Sequence, residues 1–527
     1  MEQNMPRRQR YAASSNDNLK TNKVASKRTE KKAKSRKQKK IEKILMYVGI
    51  GLVAVQLICS AVFCYLVIDS DMLPAKYFIM ISAILIVLYI AFFLMQLKKI
   101  PGIVGKSLSV ILSVVLIFVC YNFNEGMKVL AEITARYTKV DVVNLYVLTE
   151  NEAQTIYDAA DYSFGILHTL DRENTDIVLD TIQTDLNKEI IPTEYDSITS
   201  ALDAFYAEEI DVLIINHAYV ELITNTEGFD DFKDFETRAR VLSTQKIESE
   251  APVEENPQNT PVSDITNTPF AVYLSGIDTY GSISNTSRSD VNIIAAVNPA
   301  TKQVFLVSTP RDYYVPLSRS NGVKDKLTHA GIYGVNESIK TLEMLYDVDI
   351  NYHFRVNFSG FQQIINALGG IDVEIDYSFK SSFDGSWFTK GNNHLNGTRA
   401  MYFVRERYRL PNGDRQRGEH QMMVIEAIID KAQSPAVLSG YSQLIKSVQE
   451  YFQTSFTMDE VAALVKMQLS DNASWNVVTY SVNGQGKTST TYSLNQSLYV
   501  MEPDMNTVNH AKEMIDKVFA GETISAE

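Results

Sequence analysis

At 527 residues the chain is too long for one compact domain, and at roughly 150 residues per domain it divides into three or four units. Hydrophobic residues at 45% and charged residues at 21% are enough to build globular cores, which excludes wholesale disorder; three cysteines exclude a disulfide-dense scaffold and a multi-cysteine zinc module. The net charge of −13 is uneven: residues 1–43 hold 15 Lys+Arg against 4 Asp+Glu, a net +11, and the rest holds 35 against 59, a net −24, so the folded part lacks the basic face of a nucleic-acid binder.

After the basic tail, Ile44–Ile68 runs for 25 residues without a charge. A second apolar run covers Tyr77–Leu97, and a third extends from about Ser107 to Phe123, beyond Pro101-Gly102. Each reaches the roughly 17–25 residues that cross a bilayer as a helix. The first is too long for a signal-peptide core and lacks a small-residue cleavage site, so it reads as a retained anchor. Lysines and arginines before the first span (Lys31 to Lys40) and after the second (Lys98, Lys99, Lys106) mark the cytoplasmic side, whereas Asp69 and Asp71 follow the first. Three crossings then put everything beyond about Glu125 outside the cell, in a multi-pass membrane protein. All three cysteines (Cys59, Cys64, Cys120) lie inside the spans, and the cysteine-free outer part suits the exterior of a Gram-positive-like cell. The basic tail, residues 1–43, has no apolar periodicity and reads as a disordered topogenic segment touching anionic headgroups, with DNA binding as the less favoured reading.

Residues 131–246 alternate strand-like and helix-like stretches and predict a small α/β accessory domain. Val142–Leu148 reads as a strand, Asn151–Gly165 as an amphipathic helix, Ile177–Leu179 as a short strand, Tyr195–Ala207 as a helix and Asp211–Asn216 as a buried strand. Its histidines, His168 and His217, are isolated and read as satisfied side chains. Ile247–Thr268 is rich in Pro, Glu, Asn and Thr and reads as an extended linker.

From 269 to about 519 the pattern predicts an α/β sandwich with a mixed sheet. Phe270–Ile277, Asn292–Val297, Val304–Val307, Tyr352–Val356 and Ile371–Ile375 are strand candidates. Asn336–Tyr346, Ser359–Leu368 (ended by Gly369-Gly370) and Gln416–Lys431 are helix candidates.

Several charged residues fall at predicted strand ends, where open α/β sheets gather ligands. Asp278 follows the first strand of this region, and Arg288 and Asp290 precede the second. Two carboxylates brought together there either hold a cation, with oxygen-only ligands favouring Mg²⁺, or cap turns. Between 405 and 417 the sequence VRERYRLPNGDRQR supplies Arg405, Arg407, Arg409, Arg415 and Arg417, opposed within it only by Glu406 and Asp414. Guanidinium forks suit phosphate, so the cluster reads as an anion site, with a solvated loop as the alternative. Arg417 and Gln421 lie one helical turn apart. Arg311 and Asp312 follow the third strand, and Lys326 and His329 come soon after; either of the latter two can reach the same anion, or His329 is structural. Gly486-Lys487-Thr488 imitates the end of a phosphate-binding loop, but Ser481 stands where that loop needs glycine, and the residues after the imitation are strand-like. No zinc-protease helix and no nucleophile elbow is present, which leaves a metal-plus-arginine phosphoryl site.

Six segments occur in order: GIDTYGSISNTSRSD, NPATKQVFLVSTPRDYYVP, KLTHAGIYG, YHFRVNFSGFQQIINALGGIDVEI, LNGTRAMYFVRER and DRQRGEHQ. With them, the stretch from about Phe270 to Ala432 resembles the LytR-CpsA-Psr (LCP) family of cell-wall ligases. The three spans and the extra outer domain look most like its streptococcal, capsule-associated CpsA branch. The resemblance implies an α/β/α sandwich that moves a glycopolymer, capsular polysaccharide or teichoic acid, from an undecaprenyl-pyrophosphate carrier onto peptidoglycan as a phosphodiester. It implies Mg²⁺ (or Mn²⁺) on Asp278 and Asp290, and pyrophosphate on Arg288, Arg311, Arg405, Arg407, Arg417 and Gln421. Of these, Arg288, Asp290, Arg311, Arg405 and Arg407 would be catalytic. A lipid groove is implied within the domain core, with its lining unassigned. The stretch SGIDTYG departs from members that carry a second Asp close after the first. Metal and arginines together would spread the charge of an in-line displacement. The general base stays open between Asp312, Asp290 and a metal-bound group. Two other functions remain: a non-enzymatic regulator or lipid-binding assembly factor working with capsule biosynthesis proteins, and a polyprenyl-pyrophosphate phosphatase. No nucleic-acid partner is expected.

Overall fold

The computed structural model describes residues 7–224, 229–252, 260–277, 283, 285–432 and 451–525. The chain forms two compact units, Met1–Asn124 and Glu125–Glu527.

The first unit is helical: α1 (Arg7–Asp69), α2 (Ala75–Met95) and the start of α3 (Lys99–Ala135). All three helices are long and apolar enough to cross a membrane. Val87, Ile111 and Phe118 stand exposed on them, an apolar surface of the kind that faces lipid. The helices meet through small and polar groups, with Ser109 Oγ donating to Leu52 O at 3.1 Å and Gly49 and Gly105 leaving room for Gln96. Two expectations are corrected. The basic tail is helical from Arg7, because Lys, Arg, Gln, Glu and Ala are all strong helix formers. The third helix begins before Pro101 rather than after it, since a first-turn proline forfeits no intrahelical bond.

The second unit opens with a five-stranded α/β layer. Its elements are β1 (Arg136–Leu148), β2 (Phe164–Leu167), α4 (Arg172–Leu186), β3 (Thr193–Tyr195), α5 (Ile198–Tyr206), β4 (Val212–Asn216), α6 (His217–Thr224), α7 (Phe235–Arg238) and β5 (Ala239–Pro252). The order is β3-β2-β4-β1-β5, with β2 parallel to β3 and β4, and β1 antiparallel to β4 and β5. Three sequence expectations fail here. Residues 151–163 are turns rather than a helix, held by Asp158, whose carboxylate accepts from the amides of Gln154 and Thr155 at 3.0 and 2.8 Å. Ile177–Leu179 lies within α4, where Thr175, Val178, Leu179 and Ile182 form one buried face at helical spacing. The linker expected from Ile247 starts later, because β5 pairs with β1 as far as Pro252.

The following elements are β6 (Phe270–Ile277), β7 (Ser289–Asn298), β8 (Gln303–Ser308), β9 (Tyr314–Pro316), β10 (Lys324–Lys326), α8 (Leu327–Ala330), α9 (Val335–Tyr346), β11 (Tyr352–Asn357), α10 (Phe358–Ala367), β12 (Ile371–Ile375), β13 (Phe379–Lys380), β14 (Trp387–Phe388), β15 (Gly391–Leu395), α11 (Gly397–Arg405) and α12 (Gly413–Ala432). They are completed by β16 (Phe452–Thr454), α13 (Met458–Asp471), β17 (Asn476–Ser481), β18 (Gly484–Thr490), β19 (Ser497–Pro503) and α14 (Met505–Ala520). The central sheet runs β16-β11-β6-β7-β8-β17 and is mixed: β11 with β6 and β17 with β8 are parallel, the remaining pairs antiparallel.

Alternation along the strands divides the core. Ala271, Tyr273, Ile294, Ala296, Phe305 and Val307 face α9 and α14. Phe270, Val272, Ile293, Ala295, Val304 and Leu306 face the other way, towards Met422 and Ile425 of α12 and Leu464 of α13. The domain is therefore a three-layer α/β/α sandwich, and the whole chain is α/β with three apolar N-terminal helices, as the sequence predicts.

The two layers of this unit share side chains. Ile332, Leu494 and Leu498 of the sandwich are buried in one cluster with Leu202, Phe205, Tyr219 and Phe235 of the five-stranded layer, with Tyr333 packed against it. Of the two roles open to His329, the structural one holds. His329 is buried, its Nδ1 is 2.6 Å from Asp325 Oδ1, and the other Asp325 oxygen accepts from Ser493 N at 2.7 Å.

Candidate active site

The strand directions bring four chain segments to one edge of the central sheet. β7 starts there, β8 and β17 end there, and α12 lays its first turns across it. A polar pocket at this edge is lined by Asp290, Ser308, Thr309, Arg311, Arg415, Arg417, Gly418, Gln421 and Ser481, among others. Gly418 permits the close approach of α12, since a Cβ there would lie 2.9 Å from Ser308 Oγ. Arg415 and Arg417 stand near the start of α12, where the aligned backbone dipoles present their positive end.

Asp290 reaches the pocket through a β-bulge. In the β6–β7 ladder Gly276 pairs with Val291 and Ile277 with Ser289, so Asp290 is the extra residue. Ser289 thereby joins the opposite face, in a buried network with Tyr273 Oη at 2.8 Å, Ser275 Oγ at 2.9 Å and Asn292 Oδ1 at 3.0 Å. Asp290 and Val291 then both turn to the cavity face. Both Asp290 oxygens accept from Arg311 Nη1 at 3.0 Å, and Thr328 Oγ1 donates to Oδ1 at 3.3 Å. Burial alone would raise this carboxyl, but the charges of Arg311, Arg288 and Arg417 outweigh it and hold it down at about 2. Arg288, Arg311 and Arg417 gather around Asp290, with Asp312 3.9 Å from Arg311, and their guanidinium groups make the pocket a setting for an anion. Ser481 Oγ is buried there without a hydrogen-bond partner in the structure, a hydroxyl ready to meet an incoming oxygen.

Below this pocket lies an apolar cavity of about 600 Å³ between the sheet and helices α10 to α13. Val272, Leu274, Ala295, Leu306, Phe361 and Ile425 are among its walls. Asp290 and Gln421 line both spaces, so the greasy cavity and the arginine pocket meet at these two residues.

The sequence candidates are thus only partly gathered. Asp290, Arg311, Arg417 and Gln421 line one pocket, with Arg288 close enough to act on Asp290. Arg405 lies over Phe358, a cavity wall, at 4.4 Å, and over Phe383 at 5.2 Å. Arg407 turns to Tyr408, its Nη2 donating to Oη at 2.6 Å, and lines neither space. The reason is Glu406, which is buried and accepts from the amides of Arg407, Tyr408 and Arg409 at 3.1, 3.1 and 3.2 Å. Glu406 therefore acts as the hub of the loop rather than as a charge opposing its arginines. Lys326 pairs with Asp312 at 3.1 Å, which places its charge on a carboxylate. Thr328, Ser308 and Ser481 were missed in the sequence; Thr328 lies in KLTHA between two residues that were singled out. Lys487 of the loop-like GKT lies in β18 and pairs with Glu502 at 2.7 Å.

Asp278, the other expected metal ligand, lies outside the described residues. Among the described residues no group of three or more His, Cys, Asp or Glu side chains is placed to hold a metal. Asp290 is ionised and faces the pocket, as a ligand must, but both its oxygens accept from Arg311, so a cation would share or displace that guanidinium.

Residues 236–513 match the model of the LytR_cpsA_psr family, more than half of the chain. The chain belongs to this family. Among curated relatives it is 37% identical over 199 residues to a polyisoprenyl-teichoic acid–peptidoglycan teichoic acid transferase TagU of Bacillus cereus, covering 38% of this chain and 64% of that protein. It is 39% identical over 196 residues to the TagU of Enterococcus faecalis, covering 37% and 63%. The match thus spans just under two thirds of these relatives' length. Among solved structures, B. subtilis TagV is 27% identical with a TM-score of 0.41, covering 49% of this chain and 99% of that one.

Proposed function

We propose that this LCP protein is a membrane-anchored phosphotransferase that transfers a glycopolymer from a polyprenyl-pyrophosphate carrier, undecaprenyl pyrophosphate, to a hydroxyl of peptidoglycan. The observation that carries the reading is the junction at Asp290 and Gln421, where an apolar cavity of about 600 Å³ opens into a pocket lined with arginines. Few ligands need both; a lipid pyrophosphate has an apolar chain and a multiply charged head. The names of the TagU relatives support the polymer and the acceptor.

In this reading the chain seats the prenyl tail in the cavity and the two phosphates against Arg311, Arg417 and Arg288. The acceptor oxygen attacks the phosphorus that carries the polymer. A new P–O bond forms to peptidoglycan, the bond to the bridging oxygen breaks, and polyprenyl phosphate leaves with the bridging electrons. The arginines hold the charge of attacking and leaving phosphates together, and the dry cavity wall strengthens that attraction. Asp290, held at about 2, is a weak base and orients Arg311 instead. Asp312, flanked by Lys326, is the remaining side-chain candidate for the proton. Magnesium or manganese on Asp290 and Asp278 would neutralise part of the pyrophosphate charge when bound. Arg405 and Arg407 would serve the outer, acceptor side of the head group. The three helices would anchor the chain with its basic end in the cytoplasm and its α/β unit outside. The relatives' names favour teichoic acid as the polymer, while the extra five-stranded layer and the three spans favour the capsule-associated CpsA branch, which would make it capsular polysaccharide with capsule biosynthesis proteins as neighbours.

The test is a transfer assay with purified full-length protein in detergent, a polyprenyl-pyrophosphate-linked glycan and peptidoglycan fragments. Transfer that needs Arg311 and Arg417 supports the reading. Release of polyprenyl phosphate with no product on peptidoglycan would make the protein a pyrophosphatase instead.

A further inference from the structure

Among its described residues the five-stranded layer lines neither the pocket nor the cavity, yet its first strand grips the residues that lead into β7 and Asp290. Val140 of β1 forms a parallel bridge with Asn285, and Thr286 N donates to Val140 O at 3.1 Å. Thr286 Oγ1 donates to Asp141 Oδ1 at 3.0 Å. Asp141 is itself fixed: it is 5% exposed, Lys139 Nζ meets its Oδ2 at 2.7 Å, and Asn216 Nδ2 from the end of β4 donates to Oδ1 at 3.4 Å.

The same short stretch is gripped from the sandwich side. Arg355 of β11 donates to the carbonyls of Ile283 and Asn285 at 3.0 and 2.9 Å. Gly331 lies so close beneath that a Cβ would stand 2.6 Å from both Ser287 O and Ser289 N. The residue after it, Ile332, is buried in the cluster shared with the five-stranded layer. Residues 286–288 are accordingly as buried as core, although they form a connection leading into β7. Arg288 is the charged member of that stretch, two residues from the bulge at Asp290.

We propose that β1 of the five-stranded layer is a positioning strap for the active site: Asp141, through Thr286, fixes where Arg288 stands beside Asp290. The inference rests on the transferase reading for its catalytic consequence, but the strap is a geometric device of its own. Arg288 needs such a device because a guanidinium on a free connection would lose its alignment with the phosphates, and misplacement by about 1 Å costs up to roughly a hundredfold in rate. It also gives the layer a task, since its described residues line neither the pocket nor the cavity. Asp141 and Thr286 are positioning residues; they act through Arg288 and touch no substrate.

The experiment compares wild type, Thr286→Val and Thr286→Ser as full-length proteins. Valine keeps the shape and removes the hydroxyl; serine keeps the hydroxyl. We expect kcat for polymer transfer to fall about tenfold or more in Thr286→Val, with KM for the acceptor unchanged within about twofold, and to return to near wild type in Thr286→Ser. Amide hydrogen exchange at residues 286–289 should quicken in Thr286→Val only. Wild-type kcat in the valine variant, or a serine variant as slow as the valine one, would overturn the strap. If the wild type itself transfers no polymer, the transferase reading falls, and the strap is then judged on exchange alone: protection in Thr286→Val equal to wild type would overturn it.

Discussion

Asp290 shows how one side chain can be both a structural and an electrostatic element. Its carboxyl is held near 2, below the ordinary aspartate value near 3.8, so its stabilising contribution is fully present above about pH 4 and is lost as pH falls through about 2. A shift of that size is worth roughly 2 kcal/mol. Asp290→Asn should therefore be less stable than wild type at pH 7 by about that amount, and urea unfolding between pH 7 and pH 3 should show the gap narrowing as pH falls. A constant gap across that range would mean the pairing with Arg311 contributes nothing through charge. Arg311→Ala removes the fork on Asp290 and a proposed phosphate ligand at once, and we expect transfer to drop a hundredfold or more, roughly 3 kcal/mol in the barrier. Glu406 makes a different residue-scale prediction. Its carboxyl is held below its usual range despite burial, by hydrogen bonds from Ser382 and from the amides of Arg409 and Arg407. Glu406→Gln leaves the shape but weakens this hub, and proteolysis of the 406–410 loop should accelerate.

At the scale of elements, β6, β7, β8, β11 and β12 were legible because each carries a run of apolar residues, whereas β16 and β17 at the edges of the central sheet and the short strands were not singled out. Phe270–Ile277 and Ile371–Ile375 match the sequence reading to the residue. The misreadings have physical causes. Ile177–Leu179 looks like a strand in three letters and like a helix face only when Thr175 and Ile182 are included. Residues 151–163 have helical spacing, but local side-chain acceptors compete for the backbone amides. The site itself was half legible: charged residues at strand ends announce it, whereas the bulge that turns Asp290 into the cavity depends on cross-strand pairing that no local pattern records. Nor does sequence reveal that Glu406 directs Arg407 outward, since that rests on burial. The cavity offers a direct test at this scale. Ala295 faces it from β7, and Ala295→Phe should fill part of it, keeping or raising the unfolding midpoint while abolishing polyprenyl binding measured by displacement of a fluorescent isoprenoid. Unaltered binding would place the lipid elsewhere.

At the scale of the whole chain, the two layers of the Glu125–Glu527 unit cannot be treated as beads on a string. The cluster that joins Phe205, Tyr219 and Phe235 to Ile332, Leu494 and Leu498 is part of the core of both. A fragment beginning at residue 260 would expose those three aliphatic side chains together, and we expect it to aggregate or to unfold at a markedly lower temperature than a fragment beginning at residue 137. Equal melting of the two fragments would show that the shared cluster adds little. The resemblance of six ordered motifs located the family from the sandwich alone, but it said nothing about this joint, because buried contacts between distant segments leave no motif.

A hollow lined by aliphatic and aromatic walls gains van der Waals contacts from whatever apolar chain enters it. Anything that occupies it shifts the folding equilibrium by mass action, and the gain grows with the logarithm of free occupant over its dissociation constant. If the proposed polyprenyl carrier is that occupant, a cell short of it would hold a softer, more readily degraded protein, and a cell rich in it a sturdier one. Supply of the proposed donor would then set how much of the protein survives to use it.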